Sequence, residues 1–474
     1  VQRKYEDLVN TAEFRGRIAV LVLAALVLSA AGWLRGAEYD EQYTLFLTAG
    51  MARPVWPDGV FPAGVVAAAQ AGHATWAGIV RDLRATDVHP PLYFWAVWGW
   101  RWIWGPSLFA ARMLSVVCGA GSVWLIGSIA RRLGVRPWAA MLVTLGCYGF
   151  VYTGAIARGF AAAEVLTLGG VMLLLGRRPM LAGLCLGAAC CCNYLAVFVA
   201  ATAVIVFSGW WAIPAAAPFL AVDAWFFAVQ HAARPGQFPP FEVWPSVMRL
   251  GGYQVAAVFG GLPLYVDGWW RIVVGAALGL VVVVMLVAAI GDRPRRWAVL
   301  GLAIATPLGL LLLGVAANTT PIELRYLSFG LPFLALLAAA SLRRRMLVPV
   351  LAIQAAGLAG LMAAPRTMQP AWAVAVEAGR LEEGTIVLVP AGNDGVGIVG
   401  AFGIAAPPGL RLLLIRPSDR ITERLAPYRR VALATLAQDR DSTAAIGVAR
   451  AELAEPTWHR VGIGSSVEVF ERGK

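Results

Sequence analysis

A chain of 474 residues that is 59% hydrophobic and 14% charged, with a mean hydropathy of +0.70, falls outside the soluble globular class, which carries about 25% charged residues. Its net charge of +12 does not point to nucleic acid, because the basic residues sit in short groups between apolar runs: Arg15/Arg17, Arg131/Arg132, Arg177/Arg178, Arg293/Arg295/Arg296 and Arg343/Arg344/Arg345. That is the pattern of cytoplasmic loops under the positive-inside rule, and the runs between them are long enough to cross a hydrocarbon core of about 30 Å.

With the basic groups as cytoplasmic markers, the elements follow in chain order. The first span, Arg17–Leu34, exits outward as an uncleaved helix and delivers G-A-E-Y-D-E-Q-Y-T-L, Gly36 to Leu45, to the outside. A long external loop, 35–107, follows with Pro54, Pro57 and Pro62 and an amphipathic stretch over Val65–Leu83. The segment His89–Gly105 is apolar but short, carries Arg101 and five tryptophans, and reads as a juxtamembrane or re-entrant helix, since tryptophan favours the interface.

Further spans are expected at Leu108–Ala130, Pro137–Tyr152 and Arg158–Leu175, and three short crossings within Met180–Val229, broken near Asn193 and Ser208. An external loop over His231–Arg249, with Pro235, Pro239, Pro240 and Pro245, leads to spans at Trp269–Ile290, Trp297–Val315, Arg325–Ala340 and Met346–Met362. The total is about 11–13 spans, with every basic group inside and the C-terminal end outside.

After Pro365 the composition becomes mixed. Thr385–Val389, Leu410–Ile415, Arg430–Leu436 and Ser466–Phe470 read as strands, alternating with helices near Ala371–Leu381 and Ser442–Leu453. The chain thus divides into a multi-span domain, 1–365, and a small soluble α/β domain, 366–474. In the latter, Asn393–Gly397 (N-D-G-V-G) is a turn-type segment, and no independent active site is visible. All six cysteines lie in apolar runs, without the spacing of a zinc site or a disulfide framework.

Three groups of residues on the external side carry chemistry. Asp40 and Glu41 stand where the chain leaves the bilayer, and a boundary carboxylate is a functional candidate by default; Glu38 takes no role. In D-V-H-P-P-L-Y-F, Asp87 to Phe94, two prolines make a rigid entry to a helix, just after Asp87 and His89. Arg112, Arg158 and Arg325 fall at external ends of spans, where the charge rule disfavours them, and arginine binds phosphate oxygens bidentately. An acid to take a proton, arginines to hold a departing phosphate and apolar walls for a lipid tail are the parts of glycosyl transfer from a lipid-phosphate sugar. His89, Asp87 and the acid pair are residue types able to hold a divalent metal, but their spacing requires none, and no other cofactor is indicated.

The order of these motifs, the acid pair, then D-V-H-P-P-L-Y-F, then A-A-R-M-L-S, resembles the GT-C superfamily of glycosyltransferases, in particular the bacterial branch of protein O-mannosyltransferases and the lipid A aminoarabinose transferase. The match covers about Gly36–Arg178 well and the later spans loosely, with Arg325–Tyr326 matching an R-Y pair before a late span. The resemblance implies a GT-C-like polytopic fold in the bacterial inner membrane and a polyprenyl-phosphate sugar donor used at the periplasmic face. It also implies Asp40 as general base, Glu41 as its support, and Asp87, His89, Tyr93, Arg112, Arg158, Arg325 and Tyr326 as substrate-binding residues. Relatives often carry Glu-Ala-Arg before the third arginine, whereas this chain has Ile156-Ala157-Arg158. The competing readings are a lipid-linked-sugar transporter or flippase, which should show related halves and mid-bilayer charges, and an O-antigen polymerase or ligase. Sugar and acceptor (lipid, glycan or protein) stay open.

Overall fold

The computed structural model describes residues 2–233, 239–260, 268–290, 294–363, 370–464 and 466–473. Pro235, Arg293 and Pro365, used above as loop, charge and boundary markers, lie outside the described residues. The chain forms two compact units, one of Val1–Trp33, Leu83–Tyr93 and Arg112–Ala363, the other of Leu34–Asp82, Phe94–Ala111 and Ala364–Lys474.

The first unit is helical. Among the described residues, six helices of the chain are long and apolar enough to cross a membrane: Glu13–Leu34, Leu108–Arg132, Ala212–Ala232, Arg296–Ala317, Leu324–Ser341 and Arg344–Ala363. Five shorter apolar helices accompany them, at Pro137–Gly146, Phe160–Leu175, Pro179–Cys192, Ala196–Val206 and Trp269–Val284. The region Met180–Val229 contains three helices, interrupted at Asn193 and around Ser208 as expected. The end of the segment expected as an external loop, His231–Arg249, is the start of a 17-residue helix, Val243–Phe259.

The expected span Pro137–Tyr152 is two helices, Pro137–Gly146 and Tyr148–Gly154, hinged at Cys147 in an extended conformation (ψ 119°). A helix interrupted in apolar surroundings must have its freed backbone groups satisfied by neighbours. Here the Val143 carbonyl still accepts the Cys147 N–H at 3.2 Å, and Gln354, fully buried on helix Arg344–Ala363, gives it a second donor and ties the break to its neighbours. Gln354 Nε2 donates to the carbonyls of Val143 at 3.3 Å and Val258 at 3.2 Å.

The second unit is built on a six-stranded sheet: β1 (Phe61–Pro62), β2 (Ile386–Pro390), β3 (Arg411–Ile415), β4 (Arg430–Ala434), β5 (Trp458–Ile463) and β6 (Val467–Arg472), in the order β1-β3-β2-β4-β6-β5. β3, β2 and β4 run parallel, with Leu388 opposite Leu413 on one side and Leu433 on the other. β6 pairs antiparallel with β4, β5 with β6, and β1 with β3.

Both faces of the central strands are covered, which is why they read as continuous apolar runs rather than alternating ones. Val387, Val389, Leu412 and Leu414 pack with Phe46 of helix Tyr39–Ala49 and with Phe402 of helix Gly397–Ala405. Leu388, Leu413 and Leu433 pack on the other face with helices Ile421–Leu425 and Arg440–Leu453. The first loop is therefore part of this unit, contributing both a strand and a core helix.

The amphipathic stretch expected over Val65–Leu83 is two helices, Gly64–Gln70 and Trp76–Thr86. The tryptophan-rich segment is a single helix, Leu92–Trp104, about 20 Å long at 1.5 Å per residue and too short to span. Its Arg101 is fully buried and donates to the Leu45 carbonyl at 3.0 Å, to Thr48 Oγ1 and to the Gln70 carbonyl. It thereby satisfies carbonyls near the ends of two helices of the same loop. Burial lowers its pKa to about 10, so it stays charged at neutral pH.

Replacing Gln354 by leucine removes this donor from the buried Val258 carbonyl and from that of Val143, which keeps the Cys147 N–H. The expected cost is about 1–3 kcal/mol, read as earlier thermal unfolding of the detergent-solubilised protein; an unchanged transition would refute the role given to Gln354.

Candidate active site

Seven of the nine residues singled out from the sequence belong to the helical unit and two to the sheet-containing unit. In the helical unit, Asp87, His89 and Arg158 are brought together. Asp87 Oδ2 lies 3.2 Å from Arg158 Nη1, both side chains being about 5% exposed or less. Asp87 Oδ1 lies 2.7 Å from His89 Nδ1 and accepts the Val88 N–H at 2.6 Å.

An ionised carboxylate only accepts, so Nδ1 carries the proton in that contact. Arg158 Nη2 lies 2.9 Å from Nδ1 and 3.4 Å from Nε2, and with Nδ1 protonated only Nε2 of the neutral ring is able to accept from it. Burial alone would raise the Asp87 pKa, but Arg158 and His89 outweigh it and hold the carboxyl well below the usual carboxylate range. Burial and the neighbouring Arg158 both lower the His89 pKa, against the opposing pull of Asp87.

The backbone around this cluster is also committed. Gln230 Nε2 donates to the carbonyls of Leu83 at 3.1 Å and His89 at 2.9 Å, clamping both ends of the segment that carries Asp87. Gly159, next to Arg158, has no room for a side chain, because a Cβ there would overlap the Cys192 carbonyl. Arg158 has Ile156 two residues before it, and the acid that pairs with it, Asp87, comes from a separate segment.

Two further residues of the unit adjoin this cluster, Tyr93 beside Gly159 and Tyr326 against Phe160. Tyr93 is fully buried, its hydroxyl 3.2 Å from Ser115 Oγ. Arg112 is 1% exposed and donates to the Gly32 carbonyl at 2.8 Å. Arg325 is half-buried, its guanidinium 5.6 Å from the ring centroid of Tyr326, and Tyr326 stacks on Phe160 at 6.2 Å.

In the other unit, Asp40 and Glu41 occupy the first turn of helix Tyr39–Ala49. Glu41 is 0% exposed, and its Oε2 accepts the Glu38 N–H at 3.0 Å, closing a capping box around N-cap Glu38. Glu38, given no role from the sequence, is an essential part of this end: its carboxylate pairs with buried Arg35. The spacing Glu38-x-x-Glu41 was a readable cap signal, masked by the adjacent Asp40. Asp40 is half-buried, the most accessible of the three acids.

The tyrosines flanking the pair hold the helix to the loop after β2. Burial pushes the Tyr39 phenol up to about 12, and it donates to Asn393 Oδ1 at 3.1 Å. Tyr43 donates to Asp394 Oδ2 at 2.7 Å.

Among the described residues, no group of three or more His, Cys, Asp or Glu is placed to hold a metal ion. Asp87 and His89, the two ligand types of the helical cluster, are engaged with Arg158, a poor setting for a cation.

No family model and no curated protein matches the chain. Solved structures of ArnT from Cupriavidus metallidurans do, both bound to undecaprenyl phosphate and in the apo state, at 11% identity and a TM-score of 0.51. The likeness covers 96% of this chain and 97% of that one. The fold is ArnT-like. The polytopic helical architecture with a small C-terminal sheet domain, expected from the GT-C resemblance, is the one present. An archaeal oligosaccharyltransferase, AglB from Archaeoglobus fulgidus in complex with an inhibitory peptide and a dolichol-phosphate, is similar over 89% of this chain and 69% of that one, at 10% identity and a TM-score of 0.39.

Within this ArnT-like frame, Arg158→Ala strands the Asp87 carboxylate and should cost about 3–5 kcal/mol, whereas adding Asp87→Asn should recover part of the loss in a double-mutant cycle. The pH dependence is separable. A folded pKa below the unfolded value gives stability that is present above the unfolded pKa and lost as pH falls through the folded one. The His89 contribution is therefore complete above about pH 6.5 and declines below it, and that of Asp87 is complete above about pH 3.9 and declines in stronger acid. Unfolding curves should show His89→Gln flattening the slope just below pH 6.5; an equal slope in both proteins would contradict a neutral, buried His89.

Proposed function

We propose that the chain is an integral-membrane glycosyltransferase that moves a sugar from a polyprenyl-phosphate donor to a lipid, glycan or protein acceptor. What carries this reading is the end-to-end likeness to ArnT, one of whose structures holds undecaprenyl phosphate. With the basic groups as cytoplasmic markers, the reaction runs at the periplasmic face of the bacterial inner membrane, the side on which the C-terminal residues 366–474 are read to lie.

In the proposed step, Asp40 takes the proton of the acceptor hydroxyl as its oxygen bonds to the anomeric carbon. The bond from that carbon to the phosphate oxygen breaks, and the phosphate leaves with the electron pair, inverting the anomeric centre. Asp40 suits the role because it is half-buried, whereas Glu38 and Glu41 are buried in the cap. Arg325 suits direct contact with the phosphate, being half-exposed, while Arg112 and Arg158 are buried and engaged with Gly32 and Asp87. They supply fixed positive charge and order. Asp87, His89, Tyr93 and Tyr326 complete the donor site. No step requires a soluble nucleotide or a metal.

The test is transfer by purified protein from a set of polyprenyl-phosphate sugars. Asp40→Asn should lower kcat by about 10²–10⁴-fold, the usual worth of a general base, without a shift in unfolding; full transfer by Asp40→Asn sinks the mechanism. Glu41→Gln should instead act mainly through stability, by about 1 kcal/mol as for other cap losses. Arg325→Ala should reduce kcat/KM for the donor more than for the acceptor.

A further inference from the structure

The sheet-containing unit has a cavity of about 450 Å³ at the carboxyl ends of β2 and β3, within the size range of small-molecule sites. Its wall is formed by the loop after β2, the loop after β3, Asp441 beyond β4, and Pro54 and Trp56 of the first loop. The helix after β2 packs on one face of the sheet and the helix preceding β5 on the other. β2 and β4 are neighbours, so the loops leaving them diverge to opposite faces. This is the topological switch point, where open α/β sheets bind ligands.

The loop after β2 superficially resembles a phosphate cradle: Gly392 and Gly395 adopt positive φ (69° and 71°) and a helix follows at Gly397. An anion is excluded from it, however, because carboxylates of the protein already occupy the loop. Asp394 Oδ1 accepts the Val396 N–H at 3.0 Å, and Asp439 Oδ2 accepts the Asn393 N–H at 3.2 Å. The ring of Tyr39 lies against Gly397, where it covers the helix end.

What the cavity offers is a balanced polar set. Arg416 and Ser418 are exposed donors, Asp441 is an exposed acceptor, and Asn393, whose Oδ1 is engaged by Tyr39, presents its amide N–H2. Asp394 is neutralised by Arg53. One guanidinium, one carboxylate, an amide and a hydroxyl around a wall of Trp56 and proline match alternating donors and acceptors on an uncharged, polyhydroxylated ring.

We infer that this cavity is a binding site for a neutral saccharide, distinct from the site of the acid pair. Its floor is bonded to the helix that bears Asp40, through Tyr39–Asn393 and Tyr43–Asp394, so occupancy steadies that helix. The inference goes beyond the transferase reading and stands without it.

Calorimetric titration of the full-length, detergent-solubilised protein with cellobiose, maltose, mannobiose and inorganic phosphate tests it. At least one disaccharide should bind, and Arg416→Ala and Asp441→Ala should each weaken it at least about tenfold, equivalent to about 1.4 kcal/mol, with unfolding unchanged. Asp40→Asn should bind the saccharide as the unaltered protein does, which separates this result from any failure of the transfer mechanism. Binding by none of the disaccharides, binding that survives both substitutions, or Arg416-dependent binding of phosphate overturns the inference.

Discussion

Charge in a chain this apolar is costly to bury unpaired, and the Asp87–Arg158 ion pair is one place where the helical unit meets that constraint. Removing both groups from water is costly and is offset only if geometry and further hydrogen bonds complete the pairing. Here His89 and the Val88 N–H complete the carboxylate, and Gln230 holds the backbone that presents it. The entry to helix Leu92–Trp104, the turn before helix Phe160–Leu175 and helix Ala212–Ala233 are thereby fixed to one another. The rigid Pro90–Pro91 step makes this economical, since a segment with fewer backbone conformations loses less entropy on ordering.

The acids of the first loop obey the same constraint with a different outcome. Three carboxylates in four residues cannot all be buried without partners. Glu38 takes Arg35 and Glu41 takes the Glu38 backbone. A carboxylate at a helix N-terminus is also favoured by the helix dipole. Asp40 is half-buried, the most accessible of the three, on a helix that Tyr39, Tyr43 and Phe46 hold to the rest of its unit. Such support suits the role proposed for Asp40, because a general base must meet the proton at hydrogen-bond distance.

The spans and their breaks were legible because bilayer physics writes them in composition: apolar length, basic clusters and interfacial tryptophan. The interruptions at Asn193 and Ser208 are polar residues in apolar runs. By contrast, the first turns of helix Val243–Phe259 read as the end of the loop His231–Arg249, since Pro235, Pro239, Pro240 and Pro245 signal turns. β5 was missed because His459 and Arg460 give it little apolar character, and β1 because two residues leave no periodicity. In the site, Asp87, His89 and Arg158 were singled out separately. Their union depends on Gln230 and Gly159, whose roles are contacts across more than thirty residues of sequence and leave no local trace.

The same distinction explains how a fold can be shared at 11% identity while no sequence-based comparison finds a match. A lipid-facing position asks only for an apolar side chain, and a close helix contact only for a small one. Many sequences meet those demands, so identity erodes while the backbone path stays. Charged and hydrogen-bonded positions are less interchangeable, because replacing Asp87, Gln354 or Glu41 by an apolar residue leaves a specific partner unsatisfied. What remains readable from residues alone is therefore a sparse, ordered set of polar motifs, and it is in those motifs, rather than in the spans, that the physical argument for chemistry resides.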